Sequence, residues 1–79
     1  MDRVPKYQTL DRKEARLRPD QTEGLTKLTK ALNRKRRGEG ERITDNTLIR
    51  IAVDLLLKRA DEVSGKTEAE IQSNLIEKL

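Results

Sequence analysis

The segment from Leu48 to Leu57 constrains the fold most, because it is apolar on nearly every side of a helix. Its polar positions follow one another at i, i+3, i+7 and i+11 and form one narrow stripe: Thr47, Arg50, Asp54 and Lys58. One neighbouring helix cannot cover the apolar surface that remains. A chain of 79 residues offers little else to cover it. The segment therefore predicts that a second copy of the chain packs against this helix.

A first helix is predicted from Asp20 to Gly38. Asp20 and Glu23 have the spacing of a capping box, and Gly38 is a residue type that commonly ends a helix. The cations at 35–37 suit the negative end of the helix dipole. The whole basic run at 34–37 therefore either serves the helix alone or contacts a DNA backbone. The inward positions of this helix are Leu25, Leu28, Ala31 and Leu32. Lys27, Lys30, Arg34 and Lys35 lie mostly away from them.

Two further helices are predicted after the glycine-containing loop at 38–41. Thr44 is the expected N-cap of the second helix, with Asp45 in its first turn. Thr67 and Glu70 form another capping box, which predicts a short third helix. The apolar side of that helix recurs every four residues: Ile71, Leu75 and Leu79.

A short strand is predicted over 12–18. Ala15 and Leu17 alternate with Glu14, Arg16 and Arg18, which is the period of a strand with one apolar face. An isolated strand leaves its backbone groups unpaired, and no second convincing strand is found in the sequence. We therefore expect the same strand of another copy to be its partner.

The charge distribution points to a polyanion as the partner. Residues 1–37 hold 12 Lys or Arg against 5 Asp or Glu, whereas residues 38–79 hold 6 against 9. The chain has one aromatic residue, Tyr7, so double-stranded DNA is favoured over single strands, whose bases stack on several rings. It has no His and no Cys, which removes the usual general bases and thiolate or imidazole metal ligands. We predict no enzymatic activity, no cofactor and no metal site.

The order of these elements resembles the ribbon-helix-helix family of repressors, which includes the Arc and methionine repressors. The resemblance covers residues 12–60, and its closest pieces are Ala-Arg-Leu-Arg-Pro-Asp-Gln at 15–21 and Ile-Thr-Asp-Asn-Thr-Leu-Ile-Arg-Ile-Ala-Val-Asp-Leu-Leu at 43–56. It implies a mostly helical, intertwined homodimer with one short strand per chain. Those strands pair as an intersubunit antiparallel ribbon that enters the major groove, and a short C-terminal helix follows.

The resemblance also assigns site residues. Glu14 and Arg16 would face base edges, although Glu14 could instead lie aside and hold an Arg. The set expected to contact the DNA backbone is Arg12, Lys13, Arg18, Thr44, Asn46 and Thr47. The set expected to form the dimer core is Leu17, Leu25, Leu28, Leu32, Leu48, Ile51, Ala52, Leu55 and Leu56.

These observations predict a flexible basic arm at 1–11, a DNA-binding and dimerisation domain at 12–60 and a helical extension at 61–79. The expected function is sequence-specific binding of double-stranded DNA in transcriptional repression or plasmid partition, with higher-order assembly on tandem sites. Three alternatives remain: an antitoxin-type adaptor that binds a partner protein through 67–79, a conjugation accessory protein, and a membrane-surface helix at 21–37. No apolar run exceeds three residues, so we expect a cytoplasmic, nucleoid-associated protein without a membrane partner.

Overall fold

The computed structural model describes residues 10–77, and every regular element in that range is helical. Helix α1 spans Pro19–Arg36, α2 spans Asp45–Lys58 and α3 spans Glu68–Ile76. A 3-10 turn over Ala60–Glu62 follows α2. Most of the predicted arm, with Tyr7, lies outside the described residues, and so does Leu79 of the third helix.

The predicted ribbon-helix-helix fold class is wrong for the described residues. Residues 11–18 belong to no regular element, and no strand or sheet is found between 10 and 77. Five of the seven residues from 12 to 18 are charged, so the segment has little apolar surface to bury. The alternation of Ala15 and Leu17 therefore does not produce a strand.

Helix α1 begins one residue before the predicted start. Arg18 is its N-cap, in extended conformation with φ −68° and ψ 153°, and Pro19 takes the first helical position. Proline is favoured there because its φ is already helical and its missing N–H would have no helical partner. Gln21 Oε1 accepts a hydrogen bond from the backbone N–H of Arg18 at 3.0 Å. The predicted cap at Asp20 is therefore wrong, and Asp20 lies in the first turn.

Helix α1 also ends earlier than predicted. Its last residue is Arg36, and Arg37 closes it in the left-handed conformation, with φ 50°. Gly38 follows with φ 79°, so the turn uses two consecutive residues of positive φ. The last turn is basic, as predicted, with Arg34, Lys35 and Arg36 beside the exposed carbonyl groups.

The caps of α2 and α3 are the predicted threonines, Thr44 and Thr67, but the capping box predicted from Thr67 and Glu70 is incomplete. Thr44 Oγ1 accepts from the backbone N–H of Thr47 at 3.2 Å, and Thr47 Oγ1 accepts in return from the N–H of Thr44. Thr67 Oγ1 accepts from the N–H of Glu70 at 3.1 Å. The Glu70 carboxylate accepts from the N–H of Lys66, one residue before the cap. Each threonine satisfies a backbone donor that has no partner within its helix.

Helix α3 folds back towards the C-terminal half of α2. Leu75 and four residues of α2 and its end surround a cavity of about 80 Å³: Ala52, Leu55, Leu56 and Arg59. The Asn74 amide donates to the carbonyl of Ser64 at 2.9 Å and ties α3 to the connecting segment. The turn depends on Gly65, whose φ is 141°, and a Cβ atom at this position would lie 2.9 Å from the backbone nitrogen of Ile71.

No residue between 10 and 77 is fully buried. The contact between α1 and α2 shields Leu25, Leu32 and Leu48 only in part. A folded domain normally encloses a set of fully buried apolar side chains. Ten large apolar residues of the described chain are exposed, so a substantial apolar surface faces the surroundings.

Candidate nucleic-acid interface

A run of exposed cations follows one side of α1 and its C-cap, and we call it the basic stripe: Lys27, Lys30, Arg34 and Arg37. The spacing of i, i+3 and i+7 places Lys27, Lys30 and Arg34 along one side of the helix, and Arg37 follows just past its last residue. The stripe is about 15 Å long at 1.5 Å per residue. The opposite side of α1 faces α2 and carries Leu25, Thr29 and Leu32, which are half-buried. Packing on α2 therefore directs the cations outward.

Only the N-terminal member of the basic stripe has a carboxylate partner within the described residues. Lys27 Nζ lies 3.4 Å from a carboxylate oxygen of Glu23, and both side chains are largely exposed. Lys30, Arg34 and Arg37 form no ion pair in the described part of the chain. An exposed helix pair of this kind contributes about 0.3–0.5 kcal/mol, so it does not prevent a stronger anion from binding.

The segment before α1 adds exposed cations to the same half of the chain. Arg12 lies 3.4 Å from Glu14 and Arg18 lies 3.1 Å from Asp20, both as exposed pairs. Glu14 thus holds an arginine, which is one of the two arrangements expected for it. Arg16 and Lys13 are exposed and have no ion-pair partner among residues 10–77. The predicted base and backbone contacts of these residues stay predictions.

The carboxyl group of Asp20 is perturbed by its arginine. A hydrogen bond from the Arg18 side chain lowers the pKa of Asp20 below its ordinary value of 3.8, and the nearby positive charge acts in the same direction. Arg18 and Asp20 therefore form an exposed ion pair that a phosphate can replace at little cost, whereas Arg16 has no pair to release among residues 10–77.

The N-terminus of α2 has the predicted cap, Thr44, and the predicted first-turn aspartate, Asp45. Asp45 points back to α1, where Thr26 Oγ1 and Thr29 Oγ1 donate to its two carboxylate oxygens. Thr44 and Thr47 form hydrogen bonds with each other, and Asn46 is exposed. The negative charge of Asp45 at the start of α2 is thus held by two hydroxyl groups on the packed side of α1. The predicted phosphate contacts of Thr44, Asn46 and Thr47 stay predictions.

Asn33 joins α1 to the residue before the cap of α2, and the sequence did not reveal it. Its Nδ2 donates to the carbonyl of Ile43 at 2.8 Å, while its Oδ1 accepts from the N–H of Ile43 at 2.9 Å. Arg36 Nε donates to the same Oδ1 at 3.0 Å. This amide fixes the loop between the helices, and with it the position of α2 relative to the basic stripe. The only local signal was an amide side chain on the packed side of a helix.

The predicted dimer-core residues lie on partly exposed surface. Leu17, Leu28, Ile51, Leu55 and Leu56 are between 43% and 57% exposed. Leu25, Leu32 and Leu48 are half-buried, and Ala52 is exposed. The sequence-based set omitted the three exposed apolar residues on another side of α2: Ile49, Val53 and Leu57. Their spacing of four residues was the signal that could have identified them.

The described residues provide little for other chemistry. Among residues 10–77, no group of three or more Asp or Glu side chains is placed to hold a metal ion. An open depression beside the α1–α2 loop is lined by Leu32, Lys35, Arg36, Glu39 and Ile43, together with Gly40 and Glu41. None of the helices in the described range is long and apolar enough to cross a membrane.

Comparison of the chain with protein-family models, with curated proteins and with solved structures found no match.

Proposed function

We propose that this protein binds double-stranded DNA, with the basic stripe of α1 along the phosphate backbone. The carrying observation is that Lys30 and Arg34 on one side of α1, and Arg37 at its C-cap, are exposed and have no ion-pair partner among the described residues. Duplex DNA carries one negative charge for each ~1.7 Å of its axis. A stripe of about 15 Å therefore meets several phosphates at once.

Exposed cations in the preceding segment extend this surface. Arg16 and Lys13 are free of ion pairs in the described range, and Arg12 and Arg18 are held only by exposed carboxylates. Releasing such exposed pairs costs little compared with a phosphate contact made at low salt. The C-terminal half of the chain has an excess of acidic residues, which orients the basic half towards the DNA.

The proposal is tested by removing two cations from the stripe. Lys30→Gln with Arg34→Gln should weaken binding to any duplex, because two cations that neutralise phosphates are lost. The dependence of log affinity on log salt should also become shallower, by about 0.9 for each phosphate contact removed. The matched control is Lys58→Gln with Lys66→Gln, which removes the same charge from exposed positions in the other half. Affinities are measured by fluorescence anisotropy on a labelled duplex between about 50 and 200 mM salt.

Two results contradict the proposal. One is the absence of duplex binding at the lowest salt. The other is an equal loss of affinity in both double variants, which means that only net charge matters. Selection of duplexes from a random pool tests the finer proposal, sequence-specific binding in repression or plasmid partition by a nucleoid-associated protein. Enrichment of one motif supports it, and a pool that remains random contradicts it.

A further inference from the structure

The most exposed apolar surface of the described chain lies on α2. Six of the ten large apolar residues that are exposed between 10 and 77 belong to this one helix. Three of them follow at intervals of four residues: Ile49, Val53 and Leu57 are 39%, 46% and 65% exposed. That interval places them along one side of the helix, which we call the apolar strip. A monomeric protein rarely leaves such a strip uncovered.

The other helices of the same chain leave the apolar strip open. Leu75 of α3 approaches Ala52, Leu55 and Leu56, a face that borders the apolar strip at Leu56, and no residue of the strip lines the cavity between the two helices. Helix α1 approaches the N-terminal end of α2, where Thr26 and Thr29 contact Asp45. The apolar strip therefore remains exposed with both α1 and α3 packed against α2.

The apolar strip is self-complementary. A two-fold axis through Val53 sets Ile49 of one helix opposite Leu57 of an antiparallel copy, so that apolar residues meet at all three positions. Asp54 is turned about 100° from Val53 and Lys58 lies further round, whereas Arg50, three residues before Val53, is about 60° away and borders the strip. An isologous contact between two strips therefore meets through apolar side chains, with Arg50 at its edge, where a long side chain keeps its charged end in water.

We propose that the apolar strip binds the same strip of a second copy, with α2 antiparallel to α2 and Val53 at the two-fold axis. The occupant is a second copy because a chain without one fully buried residue between 10 and 77 needs this cover as part of its own stability. A second copy is present wherever the chain is made. The contact requires neither DNA nor a β-ribbon, so its test is separate from that of DNA binding.

The test uses the absence of native cysteine. Val53→Cys should form a covalent dimer under mild oxidation, because only residues near the axis bring their Cα atoms within the roughly 7 Å that a disulfide needs. Asp54→Cys is the matched control, one position later on the polar stripe, and should remain largely uncrosslinked. A chain that stays monomeric, or crosslinking that is equal at the two positions or faster at 54, overturns the proposal.

A second measurement keeps the test valid for variants that unfold. Val53→Asp and Val53→Lys should each weaken the dimer at least about tenfold, because each places two like charges at the axis. Mixing the two variants should restore helix content and a mass of about twice 9.1 kDa in sedimentation. Failure of the mixture to associate, with the parent dimeric, shows that Val53 is not at the axis and overturns the proposed contact.

Discussion

Replacing Asn33 with alanine should destabilise the protein through the loss of two backbone hydrogen bonds. The Asn33 amide pairs with both the N–H and the carbonyl of Ile43, at 2.9 and 2.8 Å, in a partly buried position. A net hydrogen bond contributes about 1 kcal/mol, so the pair contributes about 2 kcal/mol. Alanine returns up to about 0.7 kcal/mol through its higher helix propensity. The expected net loss is therefore about 1–2 kcal/mol.

The assay for Asn33→Ala is urea unfolding followed by circular dichroism, at one fixed protein concentration because association affects stability. Asn33→Asp keeps an acceptor for the N–H of Ile43 but sets a carboxylate oxygen against the Ile43 carbonyl, near the C-terminal end of α1, so it should lose at least as much stability as Asn33→Ala. The control is Asn46→Ala on the exposed surface of α2, where only helix propensity changes. If Asn33→Ala is as stable as Asn46→Ala within about 0.5 kcal/mol, the amide does not hold the loop.

Two further predictions concern glycines and pH. Gly65→Ala should destabilise the docked α3 by about 1–3 kcal/mol, because φ is 141° and the added Cβ would lie 2.9 Å from the backbone nitrogen of Ile71. Gly24→Ala should instead stabilise α1 by about 0.5–1 kcal/mol, because no atom lies within 4 Å of the added Cβ and alanine is the better helix former. Urea unfolding of both variants checks the pair, and the opposite order would refute it. The pKa of Asp20 is lowered on folding, so its stabilisation is present above 3.8 and is lost as pH falls through and below that value. Asp20→Asn should lack this component in stability measured from about pH 6 to 2, and unchanged pH dependence would contradict it.

Local capping patterns could be read from the sequence because the interacting groups lie within four residues. Thr44 and Thr67 each accept from an N–H three residues later, which residue types and spacing alone determine. The start of α1 was missed by one residue for an equally local reason. Pro19 already has a helical φ, so it precedes Asp20 as the first helical position.

Structural features that depend on a partner far away in the sequence, or on a partner strand, could not be predicted from local residue patterns. Asn33 contacts Ile43 across ten residues, and the pairing depends on the course of a loop with positive φ at Arg37, Gly38 and Gly40. The strand predicted over 12–18 rested on alternation alone. Alternation shows that a strand could present one apolar face, but it supplies neither a backbone partner nor apolar area, and the segment has two apolar residues among seven.

The basic stripe and the apolar strip lie on different helices, and this separation links the two proposals. Dimerisation through Ile49, Val53 and Leu57 uses no residue of the basic stripe, so each dimer presents two stripes. When one stripe of a dimer has bound a duplex, the second stripe is held near the same duplex at a high effective concentration, which a single chain lacks. Loss of the strip should therefore weaken DNA binding although every cation remains, whereas loss of Lys30 and Arg34 should leave the dimer intact. Loss of the cations leaves the dimer intact because they lie on the outward side of α1, whereas the inward threonines, Thr26 and Thr29, hold Asp45 of α2.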